Sequence, residues 1–143
     1  MYKNIFYPGA IPPALIAESI QQHSSKTGIG AHSIFMGQIR ADLIHGTPVI
    51  AIEYSSYEAM ALEKMHEIRE AAFAEYDLTC MHIYHSLGRV NVGEICLLVF
   101  VSSPHRKAAI AACETVVERI KKELPIWGKE ILVTDQHQWK TNR

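Results

Sequence analysis

The chain of 143 residues has few of the features that mark specialised classes of protein. It has no apolar run long enough to span a bilayer, and its opening, M-Y-K-N-I-F-Y-P, lacks the apolar core of a secretion signal. Its net charge is only −1, so there is no electrostatic basis for general binding to nucleic acid or to a membrane surface. Three cysteines, Cys80, Cys96 and Cys113, are too few and too scattered for a disulfide framework or a C-x-x-C metal motif. Reduced thiols in a cytoplasmic protein are therefore expected. Cys96, in an apolar strand-like run, and Cys113, on an alanine-rich helix, read as buried and inert. There is no G-x-S-x-G, P-loop or dinucleotide fingerprint, no internal repeat and no linker.

What is present is an ordinary globular composition, 48% hydrophobic and 20% charged, in a length that fits one domain, residues 1–143, with a real core. Residues 2 to 8 read as a short strand, and Pro12 and Pro13 open a helix that ends near His23. A strand over 31 to 40 follows, with Gly37 able to host a bulge, then a polar loop, A-D-L-I-H-G-T (41 to 47), expected to be mobile. P-V-I-A-I-E-Y is β-branched and strand-like. Ser55 and Glu58 have capping-box spacing for a helix with Ala61, Met65, Ile68 and Ala72 on one face. Two strands flank G-R-V-N-V-G. The last helix, about Pro104 to Leu124, carries the stripe Cys113, Val117, Ile120 and Leu124, with Arg119, Lys121 and Lys122 complementing its C-terminal dipole. The order predicts an α+β fold with a mostly antiparallel sheet and about three helices.

Three places could carry chemistry. In S-S-P-H-R-K (102 to 107) a strand gives way to a helix, with Ser103 as the expected N-cap and Pro104 at the first helical position. His105, Arg106 and Lys107 then bring positive charge to the positive end of the dipole. A bound anion would remove that conflict, and a first turn pointing into water would tolerate it. Arg40, at a strand end beside Gly37 and the polar loop, is either a phosphate clamp or a surface residue. E-L-P-I-W-G-K-E (123 to 130) sets Lys129 after a rigid proline and a tryptophan of buried type, which could aim a lysine into a pocket. His82 and His85, three apart on a strand, face opposite ways, so they predict no metal site.

Together F-M-G-Q-I-R (35 to 40), I-E-Y-S-S-Y-E-A-M-A (52 to 61), H-S-L-G-R-V-N-V-G-E (85 to 94), S-S-P-H-R-K-A-A (102 to 109) and K-K-E-L-P-I-W-G-K-E (121 to 130), with Trp139 beyond, resemble the large, catalytic subunit of molybdopterin synthase. The resemblance implies an α/β-hammerhead fold and a homodimer at the centre of a heterotetramer. At each end a small ubiquitin-like subunit would insert its thiocarboxylated Gly-Gly tail. The implied reaction is a sulfurtransferase step, placing two sulfurs on cyclic pyranopterin monophosphate to form the dithiolene of the molybdenum cofactor, with no cofactor of the enzyme's own. Arg40, His105 and Arg106 match the family's substrate pocket, Lys121 matches one of its two important lysines, and Arg143 matches a basic residue reaching into the neighbouring subunit's site. The chain departs where the family has a lysine directly after the tryptophan. Here that residue is Gly128, and the sequence leaves two possibilities: an unusual Gly128 backbone swings Lys129 inward as a substitute, or Lys121 works alone. Ser86 is a smaller departure, standing where an arginine is common. A non-catalytic module binding a phosphorylated ligand, or an inactive paralogue keeping the partner surface, are the other readings.

Overall fold

The computed structural model describes residues 2–134 and 137–140. Eleven elements follow one another: β1 (Phe6–Pro8), α1 (Pro13–His23), β2 (Ala31–Gln38), β3 (Leu43–Ile44), β4 (Thr47–Ser56), α2 (Glu58–Glu75), β5 (Cys80–Asn91), β6 (Ile95–Ser103), α3 (Arg106–Glu123), β7 (Ile126–Leu132) and β8 (His137–Trp139). The sheet runs β2-β6-β5-β4-β7-β8, with β1 beside β5 and β3 beside β4. Every pairing is antiparallel except β1 with β5. This is the expected α+β architecture with three helices among the described residues.

The strand β6 is the spine. Its run C-L-L-V-F-V is buried on both faces because helices cover both. Leu97, Val99 and Val101 join the cluster formed with Met65, Ile68 and Ala72 of α2 and Val116, Val117 and Ile120 of α3. Leu98 faces the other way, onto Ile11 and Ile16 beside and within α1. No helix of the described residues is long and apolar enough to cross a membrane.

Local chemistry explains the departures from the sequence reading. The capping box at Ser55 does not form, because β4 continues through Ser56, paired in register with Trp127 and Ile126. Tyr57 becomes the N-cap of α2, and its N–H and the Ser56 hydroxyl both donate to the Pro125 carbonyl. The loop over 41 to 47 is largely a tight hairpin: Ile44 pairs with Thr47, and His45 and Gly46 both take positive φ, as a two-residue connection requires. The bulge allowed by Gly37 is present, as a register shift between Gly37 and Gln38. At Gly88, φ +83°, β5 passes from its pairing with β1 to its pairing with β4.

Candidate functional site

A narrow pocket of about 80 Å³ opens where the C-terminal end of α3 meets β4, β5 and β7. Lys121 enters from α3, Tyr54 from β4 and His85 from β5, while Trp127 and Gly128 of β7 complete the wall. Lys121 comes to this place because α3 runs antiparallel to β6, so its last turn returns to the start of that strand, beside Cys96. Burial is the main cause of the lowered pKa of Lys121; nearby Cys96 opposes the shift and the charge of Lys140 adds to it.

Two of the pocket's other titratable groups, His85 and Tyr54, are held neutral. His85 is buried and its pKa falls to about 4, chiefly by desolvation, with Lys121 adding to the drop. Its Nδ1–H donates to the Ser86 carbonyl at 2.8 Å, which leaves Nε2 as the basic nitrogen. The phenol of Tyr54 is pushed well above its ordinary range by burial first and by Cys96 second, and its ring meets His85 edge to face at 5.1 Å.

A second concavity, wider and shallower at about 800 Å³, lies at the other end of α3 and is lined by Gly30, Pro104, His105, Arg106, Lys107 and Glu114 among others. The helix begins two residues later than its sequence suggested: His105 is the N-cap and Arg106 the first helical residue. Ser103 is drawn into β6 instead, its hydroxyl donating to the Asp77 carbonyl and accepting from the His105 N–H. His105, Arg106 and Lys107 are exposed, and no acidic residue occupies the first turn. The start of α3 therefore presents backbone donors and three basic side chains to one groove.

Arg40 stands just past β2, exposed and 3.4 Å from Asp42. The Ile39 N–H donates to the Glu94 carbonyl, which sets this segment at the β5–β6 turn. Arg40 and Lys121 thus share one end of the sheet, and His105 and Arg106 occupy the opposite end. From Arg106 to Lys121 the helix rises about 22 Å. One chain does not bring the expected substrate residues together.

Lys129 does not join the Lys121 pocket. Gly128 keeps an ordinary strand backbone, paired with Tyr54, and does not take a positive φ. Alternation along β7 sends Lys129 to the opposite face, where it lies 3.7 Å from Glu53. Trp127 is 52% exposed, at the pocket rim and not in the core as its type suggested. Arg143 falls outside the described residues. Cys80, Cys96 and Cys113 are all buried and unbridged.

One cluster was not visible in the sequence. His82 diverges from His85 as expected, but the end of α1 brings His23 to it, and Cys80 shares its face, so donor atoms of the three lie within 4.8 Å. A hydrogen-bond chain already uses these nitrogens: Lys3 donates to His82 Nδ1, the two Nε2 atoms lie 3.0 Å apart, and His23 Nδ1–H donates to the Ser19 carbonyl. The Lys26 ammonium sits 3.0 Å from the Cys80 sulfur. With two ammonium groups on the donor atoms, the arrangement reads as a polar tie between α1 and β5.

Comparison with known proteins places this geometry. The model of the MoaE protein family matches residues 12–123. A molybdopterin synthase catalytic subunit of Drosophila grimshawi is 44% identical over 115 residues, covering 79% of this chain and 32% of the relative, so the chain spans about a third of that protein's length. The crystal structure of molybdopterin synthase from Staphylococcus aureus superposes with a TM-score of 0.84 at 31% identity, covering 99% of this chain and 98% of that one. A complex of subunits 1 and 2 of the molybdopterin-converting factor from Helicobacter pylori shares the fold, with a TM-score of 0.81 at 21% identity over 96% of this chain and 90% of that one.

Proposed function

The chain belongs to the MoaE family, and we propose that it is the catalytic subunit of a molybdopterin synthase. In this reading the thiocarboxylated Gly-Gly tail of a small ubiquitin-like subunit enters the Lys121 pocket, and its sulfur passes to cyclic pyranopterin monophosphate. Two rounds build the dithiolene. The observation that carries the reading is Lys121 itself: a half-buried cation on a rigid helix in a pocket too narrow for a bulky ligand but suited to an extended tail. There it offsets negative charge on the tail and on the developing product. The exposed Trp127 at the pocket rim is the kind of aromatic surface that partner docking uses.

The phosphate needs a second cationic group, and His105 and Arg106 at the start of α3 supply it. Because they lie about 22 Å from Lys121 along one helix, the complete site combines Lys121 and Arg40 of one copy with His105 and Arg106 of a second, in a homodimer flanked by two small subunits. The buried cysteines take no part, since sulfur arrives on the partner.

The test is a single-turnover reaction with the thiocarboxylated small subunit and the pterin phosphate. Dithiolene product is expected. A tight complex with the small subunit but no product would mark an inactive paralogue. Binding of the pterin phosphate with no affinity for the small subunit would mark a ligand-binding module.

A further inference from the structure

The pocket beside Lys121 contains a second lysine that arrives from a different part of the chain. Lys140, directly after β8, lines the pocket with Lys121, Tyr54, His85 and Gly128. Its backbone is pinned there: the Lys140 N–H donates to the Gly128 carbonyl at 2.7 Å, one residue past the ladder in which Lys129 faces Trp139. Its charge reaches Lys121, adding to the effect of burial in lowering that lysine's pKa. Two ammonium groups around about 80 Å³ repel each other, and an anion between them offsets that repulsion.

Gly128 explains why the second charge comes from β8. A Cβ at this position would stand 2.9 Å from Ile52 Cγ2 and 3.2 Å from Tyr54 Cε1. Strand β7 therefore presents bare backbone to the pocket here, and Lys129, the next residue, is turned away toward Glu53. The cation that joins Lys121 here comes instead from Lys140, directly after the neighbouring strand.

We propose that Lys140 is a catalytic residue, forming with Lys121 a two-cation cradle for the terminal thiocarboxylate of the incoming tail. The proposal rests on the sulfur-transfer reading and names the residue that supplies its second charge. During transfer, the tail's sulfur bonds to a pterin carbon as that carbon's bond to oxygen breaks. Water then adds to the acyl carbon, and the acyl carbon–sulfur bond breaks with sulfur staying on the pterin. The water's proton passes to solvent, and the tail departs as a carboxylate. The cradle faces an anion before and after the step, and the backbone of Gly128 leaves room for a Gly-Gly segment to lie flat.

The experiment compares wild type, K140A, K140R and K129A in single turnover from neutral to alkaline pH. In parallel, calorimetry measures affinity for the small subunit ending in an ordinary carboxylate. K140A is expected to lower the rate about tenfold or more, less than the loss of a fully enclosed donor. K140R should recover most of the rate, and K129A should match wild type. The groups facing Lys121 are Tyr54 from β4, His85 from β5, Cys96 from β6 and Lys140. K140A removes only the last, so the pH limb governed by Lys121 should move to higher pH, which a merely structural lysine would not cause. Rate, pH limb and tail affinity all equal to wild type in K140A would overturn the proposal. If wild type itself forms no product, the sulfur-transfer reading fails separately. The calorimetry then decides the cradle: weaker tail binding by K140A supports it, and equal binding overturns it.

Discussion

Replacing Gly128 with alanine tests the packing that shapes the pocket. The new Cβ would lie 2.9 Å from Ile52 Cγ2, 3.2 Å from Tyr54 Cε1 and 3.5 Å from Tyr54 Cδ1. Ile52 is only 3% exposed, and Tyr54 pairs with Gly128 across the β4–β7 ladder. Either Ile52 leaves its rotamer or the two strands part locally, and overpacking of this kind costs about 1–3 kcal/mol. Gly128 has an ordinary strand backbone, so alanine adopts it without strain and recovers about 0.4–1 kcal/mol from the stiffer unfolded chain. The balance is a loss of about 1–2 kcal/mol, or about 2–8 °C in Tm for a domain of this size. Thermal unfolding followed by circular dichroism measures it, with Gly28→Ala as the control. At Gly28 nothing lies within 4 Å of the added carbon, and the backbone is ordinary, so Tm should hold or rise slightly. A G128A protein melting at or above wild type, or a G28A protein falling as far, would refute the reasoning.

Three other perturbations probe the rest of the structure. Lys121→Met should lower single-turnover product formation about 100-fold or more, because it keeps the length of the stem and removes the charge. Gly30→Ala should cost about 3 kcal/mol or more in a denaturant titration, since its Cβ would stand 2.1 Å from the Pro104 carbonyl oxygen, on the backbone that carries His105 and Arg106. His85 binds its proton more weakly when folded, with a pKa of about 4 against an ordinary 6.5. The unfolded chain therefore takes up the extra proton, and stability should fall as pH drops from about 6.5 to about 4. His82 is shifted the same way, so His85→Gln should flatten this slope only in part, as urea titrations across that range would show.

Much of the fold was legible because burial imposes local periodicity. Ala61, Met65, Ile68 and Ala72, and Cys113, Val117, Ile120 and Leu124, are all buried as their helical spacing requires. The candidate site was legible in pieces: Lys121 through the family resemblance, and the basic start of α3 from cations at the wrong end of a dipole. What could not be read depends on pairings between distant segments. β8 is three polar-to-aromatic residues that become a strand only beside β7, and Lys140 enters the pocket through that pairing alone. Lys129 had two possible directions in the sequence, and the regular ladder between Tyr54 and Gly128 selects the outward one. Trp127 looked like a core anchor by residue type, yet strand alternation puts it on the surface. The meeting of His23 with His82 needs the end of α1 against β5, a contact between segments 59 residues apart.

The claim that matters most is that Lys121 of one copy works with Arg106 of another. It is tested by mixing two inactive variants, K121A and R106A, allowing subunits to exchange, and measuring dithiolene formation. A hybrid dimer would hold one site with both defects and one with neither, so random mixing should return about a quarter of wild-type product from two proteins that each give almost none. If each site were built within a single chain, every site in the mixture would carry one defect. Failure to regain activity, with subunit exchange demonstrated, would contradict the account.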